Sequence, residues 1–393
     1  MEARTVSGKG GNLVNDTSGF DWIDEPEGLE HLQEVLCKAP AFGLDLEADS
    51  MFHFQEKVCL IQVATPAHTF LIDPLALSDL SPLAPLLADR SKTKVLHGSD
   101  YDIRSLDRDF GLRIHGLFDT QIAARFLGLA ETGLADLLEA RFGIHAEKKY
   151  QKKDWSVRPL PDDMLAYAAG DAVYLVPLFR MLEAELRDLE RLTWVEEECE
   201  ILSRVRSSPP NNGPLFPRLR GSGRLDRRGL AIAEELLAYR LRVARERDRP
   251  PFKVFGNGPI LEIARTKPRT KRALSAVHGL SPGQIRSLGS ELLACVQRAM
   301  DQSEASLPVY PRTKGSRIGP QVTKRVHALK AWREKRAKDL QLDPSVLFTN
   351  AQIQAVSSAY PKRPRDLAGL EGIRDWQRKV FGKEICDTIS RTG

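Results

Sequence analysis

Short apolar runs dominate the first hundred residues. AFGLDLE at 41–47, VCLIQVA at 58–64, TFLID at 69–73 and KVLH at 94–97 are separated by turn-forming residues, which predicts four short strands. From residue 100 onward the apolar positions recur at helical spacing. The strongest such stretch is 162–192, opened by Asp162 and Asp163, which suit a helix N-terminus. Pro177 is predicted to kink or interrupt it. Strands first and helices after predict an α/β or α+β domain over about 20–200.

Two stretches break this pattern. The segments 203–223 and 303–320 are rich in Pro, Gly, Ser and Asn and read as linkers. Residues 1–19 read as a flexible leader, which leaves 20–202 for the strand-containing domain. The segments behind the two linkers are related by an ungapped offset of 93 residues. Tyr239 falls on Trp332, Arg240 on Arg333, Pro251 on Pro344, Phe255 on Phe348 and Gly279 on Gly372. The matched positions are the apolar, aromatic and Pro/Gly types that set cores and turns. They predict two copies of one small helical domain, at 224–302 and 321–393.

Charge changes the picture. The net charge of +5 hides an asymmetry: residues 1–200 hold 20 Lys+Arg against 36 Asp+Glu, whereas 201–393 hold 38 against 17. The basic half suggests a polyanionic partner, with nucleic acid leading, because neutralised phosphates release counterions. A solvated, charged helical surface is the other reading. Positive charge concentrates at 239–249, 265–272 and 324–338, where it suits phosphates without sequence preference.

The remaining composition mainly excludes. A 393-residue chain with 42% hydrophobic and 28% charged residues has globular composition and room for two or three domains. No apolar run approaches the roughly 18 residues of a membrane span, and no secretory signal is evident, so no membrane partner is expected. Five separated cysteines argue against a disulfide framework or a thiolate zinc site and fit a reducing cytoplasm. The eight histidines include no H-x-x-x-H pair. Any metal is therefore expected to be a hard cation held by carboxylates.

Three fragments carry candidate chemistry. In Leu44-Asp45-Leu46-Glu47, a strand would place Asp45 and Glu47 on one face, where two carboxylates repel unless a cation lies between them. An edge strand with outward polar residues would show the same pattern. In His97-Gly98-Ser99-Asp100-Tyr101-Asp102, a strand runs through a Gly turn into a helix, with Asp100 read as the cap and Asp102 as the inward group. In Tyr167-Ala168-Ala169-Gly170-Asp171, the Tyr and Asp share a helix face, as an ordinary amphipathic helix could also arrange.

Taken together, Asp45/Glu47, Asp102 and Tyr167-x-x-x-Asp171 resemble the three-motif signature of DEDD exonucleases of the tyrosine subclass. Phe118-Asp119-Thr120 and Asp154-Trp155-Ser156-Val157-Arg158-Pro159-Leu160 resemble ribonuclease D and the related nuclear exosome exonuclease. The two C-terminal repeats resemble the HRDC (helicase and ribonuclease D C-terminal) domain. The resemblance implies a ribonuclease H-like mixed sheet flanked by helices, followed by two small all-α bundles. It also implies a 3′→5′ exoribonuclease that hydrolyses terminal phosphodiesters with two divalent cations, Mg²⁺ or Mn²⁺, and releases nucleoside 5′-monophosphates.

In that scheme Asp45 bridges both cations, Glu47, Asp102 and Asp171 complete the carboxylate set, and Tyr167 orients the attacking water. Glu47 lies near the terminal 3′-hydroxyl. His97 and Trp155 line the substrate path; His97 reads equally as a structural histidine, and Trp155 as core packing. The expected substrates are RNAs with a free 3′ end, such as tRNA precursors and small structured RNAs, and the expected state is a monomer. A DNA 3′→5′ exonuclease and a non-catalytic RNA-binding protein are the competing readings.

Overall fold

A computed structural model describes residues 19–145, 149–208, 213–311 and 319–392. The expected leader lies outside the described residues except for Gly19, as do 209–212 and 312–318 of the two expected linkers. The chain divides into two units: Met1–Ala48, Val58–Ser207 and Ser316–Gly393 form one, and Asp49–Lys57 with Ser208–Gly315 form the other.

The first unit is built on a six-stranded mixed sheet in the order β1-β4-β3-β2-β5-β6. The strands are β1 (Asp21–Ile23), β2 (Ala41–Ala48), β3 (Val58–Ala64), β4 (Thr69–Ile72), β5 (Thr93–Leu96) and β6 (Leu117–Asp119). β2 pairs antiparallel with β3 and parallel with β5, so the acid-bearing strand is central. The four expected strands are β2 to β5. β1 and β6 were not expected, because three residues are too short to show an alternation of two.

The helices of this layer are α1 (Pro26–Lys38), α2 (Ala84–Ala88), α3 (Asp100–Phe110), α4 (Thr120–Leu127), α5 (Leu134–Phe142), α6 (Asp162–Val173), α7 (Leu175–Asp188) and α8 (Leu192–Leu202). On one sheet face Phe42, Leu44, Ile61 and Val63 meet Leu36 of α1 and Leu86 and Leu87 of α2. On the other face α6 and α7 cross β2. The approach is close at Gly43, where an added Cβ would lie 2.7 Å from the Ala172 carbonyl and 3.0 Å from Leu175 Cβ. Asp45 and Glu47 follow Gly43 on that same face by the two-residue period.

The expected break at Pro177 falls instead at Tyr174. Pro177 sits in the first turn of α7, where a missing N–H leaves no intrahelical bond unmade. An 18-residue window within Asp162–Asp188 reaches a mean hydropathy of 1.3, and the stretch has the length of a membrane span, unlike the reading from apolar runs alone. They are two helices that lay apolar residues on the sheet, with Asp171 and Arg180 among them.

The second helical repeat packs within this first unit. The first repeat has α9 (Arg227–Glu246), α10 (Pro251–Val254), α11 (Asn257–Thr266), α12 (Lys271–Leu274) and α13 (Pro282–Asp301). The second repeat has α14 (Pro320–Leu340), α15 (Pro344–Leu347), α16 (Asn350–Ala359) and α17 (Asp375–Ser390). Trp376 of α17 stacks on Trp194 of α8 at 4.7 Å between ring centroids. Glu197 accepts from the backbone N–H groups of Asp375 (2.6 Å) and Trp376 (2.9 Å), capping α17 with a carboxylate. Arg191, nearly buried, donates to the carbonyls of Phe126 and Leu340.

In the second unit the first repeat forms its own core. The segment read as a linker up to 223 is shorter than expected: Phe216 and Leu219 are buried there, and Glu234 accepts from the N–H groups of Leu215 and Phe216. Pro and Gly hid apolar residues spaced for burial.

The 93-residue offset is visible in side-chain chemistry. Arg240 donates to the Phe255 carbonyl (3.2 Å) and Asn257 Oδ1 (2.8 Å); Arg333 donates to the Phe348 carbonyl (2.9 Å) and Asn350 Oδ1 (3.0 Å). Gly279 and Gly372 both take positive φ, +86° and +81°. So do Lys267 and Tyr360, at 50° and 51°, where each closes the matching helix.

Candidate active site

Three elements converge on one acidic pocket. β2 supplies Asp45 and Glu47, and α6 supplies Asp171; one carboxylate oxygen from each lies within 4.8 Å of the other two. Asp102, in the first turn of α3, is only 9% exposed and close enough to raise the pKa of Asp45. The register of β2 slips between Glu47 and Ala48, so the strand bends where its second acid ends.

The turn that launches α3 is anchored by Asp119, the last residue of β6. Its carboxylate accepts from the Gly98 N–H (3.1 Å), the Ser99 N–H (2.8 Å) and the Ser99 hydroxyl (2.8 Å), and also caps α4 through Gln121 and Ile122. Asp100 is not the cap expected of it. It is the first residue of α3, at the surface, and pairs with Arg104 at 2.8 Å, while Ser99 holds the cap position. Asp102 points inward as its spacing implied.

The electrostatics are those of a site short of positive charge. Burial, then the charges of Asp102 and Asp171, push Asp45 well above the ordinary carboxylate range. Glu47 is pushed up to about 10 by burial and then by its three acidic neighbours. Burial raises Asp102 to about 7, with Asp119 adding to it, and Asp171 to about 6, opposed by a hydrogen bond from Tyr167. Buried carboxylates this close cannot all be charged without a cation. The donor set is all oxygen, which fits a hard divalent ion.

Tyr167 gives its hydroxyl to Asp171 one helical turn on, and burial with the surrounding acids drives its own pKa far upward. Its ring is backed by Tyr150 at 5.4 Å and Trp155 at 6.2 Å. Trp155 is fully buried among Cys59, Leu60, Leu71 and Met164. A closed-off ring cannot stack a base, so the reading of Trp155 as a substrate contact is corrected to packing behind Tyr167. Its loop is pinned by Arg158, which donates to both Asp73 oxygens at 2.6 Å and to the Cys59 carbonyl at 2.7 Å.

His97, directly after β5, is held by Thr120 of α4. Its Nδ1 lies 2.9 Å from Thr120 Oγ1, which itself donates to the Leu96 carbonyl. That network assigns the proton to Nδ1 and leaves Nε2 as the acceptor. Burial lowers the imidazole pKa, so the ring is neutral near pH 7. Two features escaped sequence reasoning. Asp119 entered only as part of a family resemblance, and Gln62 shows its relation to Asp45 only through strand register.

This sheet, with four converging carboxylates and a tyrosine one turn from the last of them, is the arrangement of a DEDD-type 3′→5′ exonuclease. The 3′-5′ exonuclease family profile matches residues 20–187, and the HRDC domain profile matches twice, at 229–296 and 322–389. Ribonuclease D of Escherichia coli K12 is 33% identical over 290 residues, covering 74% of this chain and 77% of that protein. Ribonuclease D of Gluconacetobacter diazotrophicus is 30% identical over 366 residues, covering 92% and 91%. The chain belongs to the ribonuclease D family of hydrolytic 3′→5′ exoribonucleases.

Solved structures agree. The crystal structure of Escherichia coli RNase D, an exoribonuclease involved in structured RNA processing, has a TM-score of 0.70 at 28% identity, covering 95% of this chain and 99% of that one. The catalytic core of RRP6 from Trypanosoma brucei has a TM-score of 0.64 at 30% identity, covering 73% and 81%. The expected ribonuclease H-like mixed sheet with helical C-terminal domains is thus borne out.

Proposed function

We propose that this protein shortens RNA from a free 3′ end, releasing nucleoside 5′-monophosphates, and that tRNA precursors and small structured RNAs are its substrates. The observation that carries the reading is the convergence of Asp45, Glu47, Asp102 and Asp171 in one buried pocket beside Tyr167. A reducing cytoplasmic setting suits the five cysteines, four of them buried.

Asp45, Glu47, Asp102 and Asp171 are proposed as the residues that would hold two divalent cations, Mg²⁺ or Mn²⁺. The chemistry such ions supply is acidification of the attacking water and stabilisation of the leaving 3′-oxyanion. The residues do the rest. Tyr167 commits its proton to Asp171, so its oxygen is left to accept from the attacking water and orient it. With its pKa raised, it is no general base. Glu47 is proposed to receive the terminal 3′-hydroxyl, which admits only a free end. His97 offers Nε2 to the substrate path.

The test is a set of matched 5′-labelled RNA and DNA strands, with free or blocked 3′ ends, in Mg²⁺, Mn²⁺ or EDTA, alongside Asp45→Asn. A cation-dependent ladder from the free 3′ end of RNA, absent in the variant, supports the reading. Preference for DNA overturns the RNA assignment, and tight binding without shortening overturns the nuclease reading.

A further inference from the structure

Gln62 lies in the centre of β3 and is the direct antiparallel partner of Asp45. Cross-strand partners project to the same sheet face, so the Gln62 side chain shares the face that carries the acidic pocket. Its other neighbours confirm this placement. Leu60, two residues away on the same strand, and Leu71, paired with Gln62 across β4, both pack in the cluster with Ala168 and Ala169 of α6. Gln62 is 0% exposed. The structure gives neither its Oε1 nor its Nε2 a hydrogen-bond partner.

A fully buried, unpaired amide is costly to keep among leucines and alanines. Leucine or methionine would fill this place without that cost. The group beside it with the greatest need of a donor is Asp45, whose carboxylate is buried among acids. A charged carboxylate has about four acceptor sites and no donor of its own.

We propose that Gln62 is a positioning residue for Asp45: its Nε2 hydrogens hold the charged carboxylate and set the orientation in which it receives a cation. This rests on the reading of the four carboxylates as a divalent-cation site. Groups that hydrogen-bond a ligating carboxylate commonly contribute tenfold or more to metal affinity. The role is distinct from catalysis, because Gln62 reaches no substrate atom except through Asp45.

The experiment is Mn²⁺ titration calorimetry without RNA on the full chain and on Gln62→Met, which keeps the volume and removes the donor. Thermal melting of both in EDTA accompanies it. The expected result is a variant that melts no lower than the parent in EDTA and binds Mn²⁺ about tenfold more weakly. Unchanged Mn²⁺ affinity overturns the proposal, and so does a weaker affinity accompanied by a lower melting temperature in EDTA, since that marks a structural role. Should Gln62→Met fail to fold, the unmutated chain labelled with [¹⁵N]glutamine decides. Mg²⁺ is expected to shift one side-chain amide pair, and Mn²⁺ to broaden the same pair; no such pair overturns the proposal. A parent chain that binds no Mn²⁺ overturns the cation site itself, whereas equal binding by parent and variant overturns only the role of Gln62.

Discussion

Asp248 and Gln341 occupy the same left-handed corner of the two HRDC domains, 93 residues apart, with φ of 43° and 56°. Each corner meets a different part of the exonuclease portion of the chain. Asp248 accepts from His53 Nδ1 (2.6 Å) and from the Phe54 N–H (3.0 Å), within the loop Asp49–Lys57 that follows β2. The Gln341 carbonyl lies against Gly128, at the end of α4.

The Asp248 contact is exposed, so its value lies in ordering the loop. Asp248→Ala is expected to speed hydrogen exchange at the Phe54 amide while leaving the α6 amides unchanged. Equal exchange at Phe54 in both proteins would sink this assignment.

The Gln341 contact leaves no room. At Gly128, φ is +79° and an added Cβ would lie 2.0 Å from the Gln341 carbonyl oxygen. Gly128→Ala is expected to destabilise the chain by about 3 kcal/mol, combining strain with a backbone clash. Urea unfolding measures it, and a loss below about 1 kcal/mol would contradict the close approach.

Tyr167→Phe keeps the ring against Tyr150 and Trp155 and removes only the hydroxyl. Turnover on RNA is expected to fall roughly 100-fold with KM and melting temperature little changed, because the lost contact serves the transition state. An equal rise in KM would instead mark the hydroxyl as a substrate-binding group.

The carboxylate cluster makes stability depend on pH in an unusual direction. Asp102 and Asp171 have folded-state pKa values raised to about 7 and about 6. The folded chain therefore holds protons that the unfolded chain has released, and the stability these groups contribute is full below about pH 4 and lost as pH rises through 6 to 7. Between pH 6 and 8 in EDTA, melting temperature is expected to fall by a few degrees, and Mn²⁺ at pH 8 to restore it. Asp102→Asn, which removes one of the two titrating groups, should remove much of the fall. A melting temperature that rises from pH 6 to 8 would count against the buried cluster.

Arg158→Met tests the wall behind Tyr167. Asp73 is 4% exposed and would be left without its bidentate partner. The expected loss is about 3 kcal/mol in urea unfolding, characteristic of breaking rather than replacing a buried pair.

Much of this protein was determined by local order in the chain. The spacing Asp45-x-Glu47 on a strand and Tyr167-x-x-x-Asp171 on a helix places each pair on one face through backbone periods of two and 3.6, whatever surrounds them. The 93-residue repeat is equally local, since Arg240 and Arg333 each clamp a carbonyl 15 residues on. What depended on contacts distant in sequence had no such period. Gln62 meets Asp45 only through strand register, and Asp119 holds the Asp102 turn only once β6 lies beside β5. Trp155 reads as either a stacking ring or core packing until α6 covers it, and no local spacing shows that Asp248 binds the loop Asp49–Lys57. The backbone's own geometry sets the first group, whereas burial against residues tens to hundreds of positions away decides the second, and only the assembled fold brings those residues together.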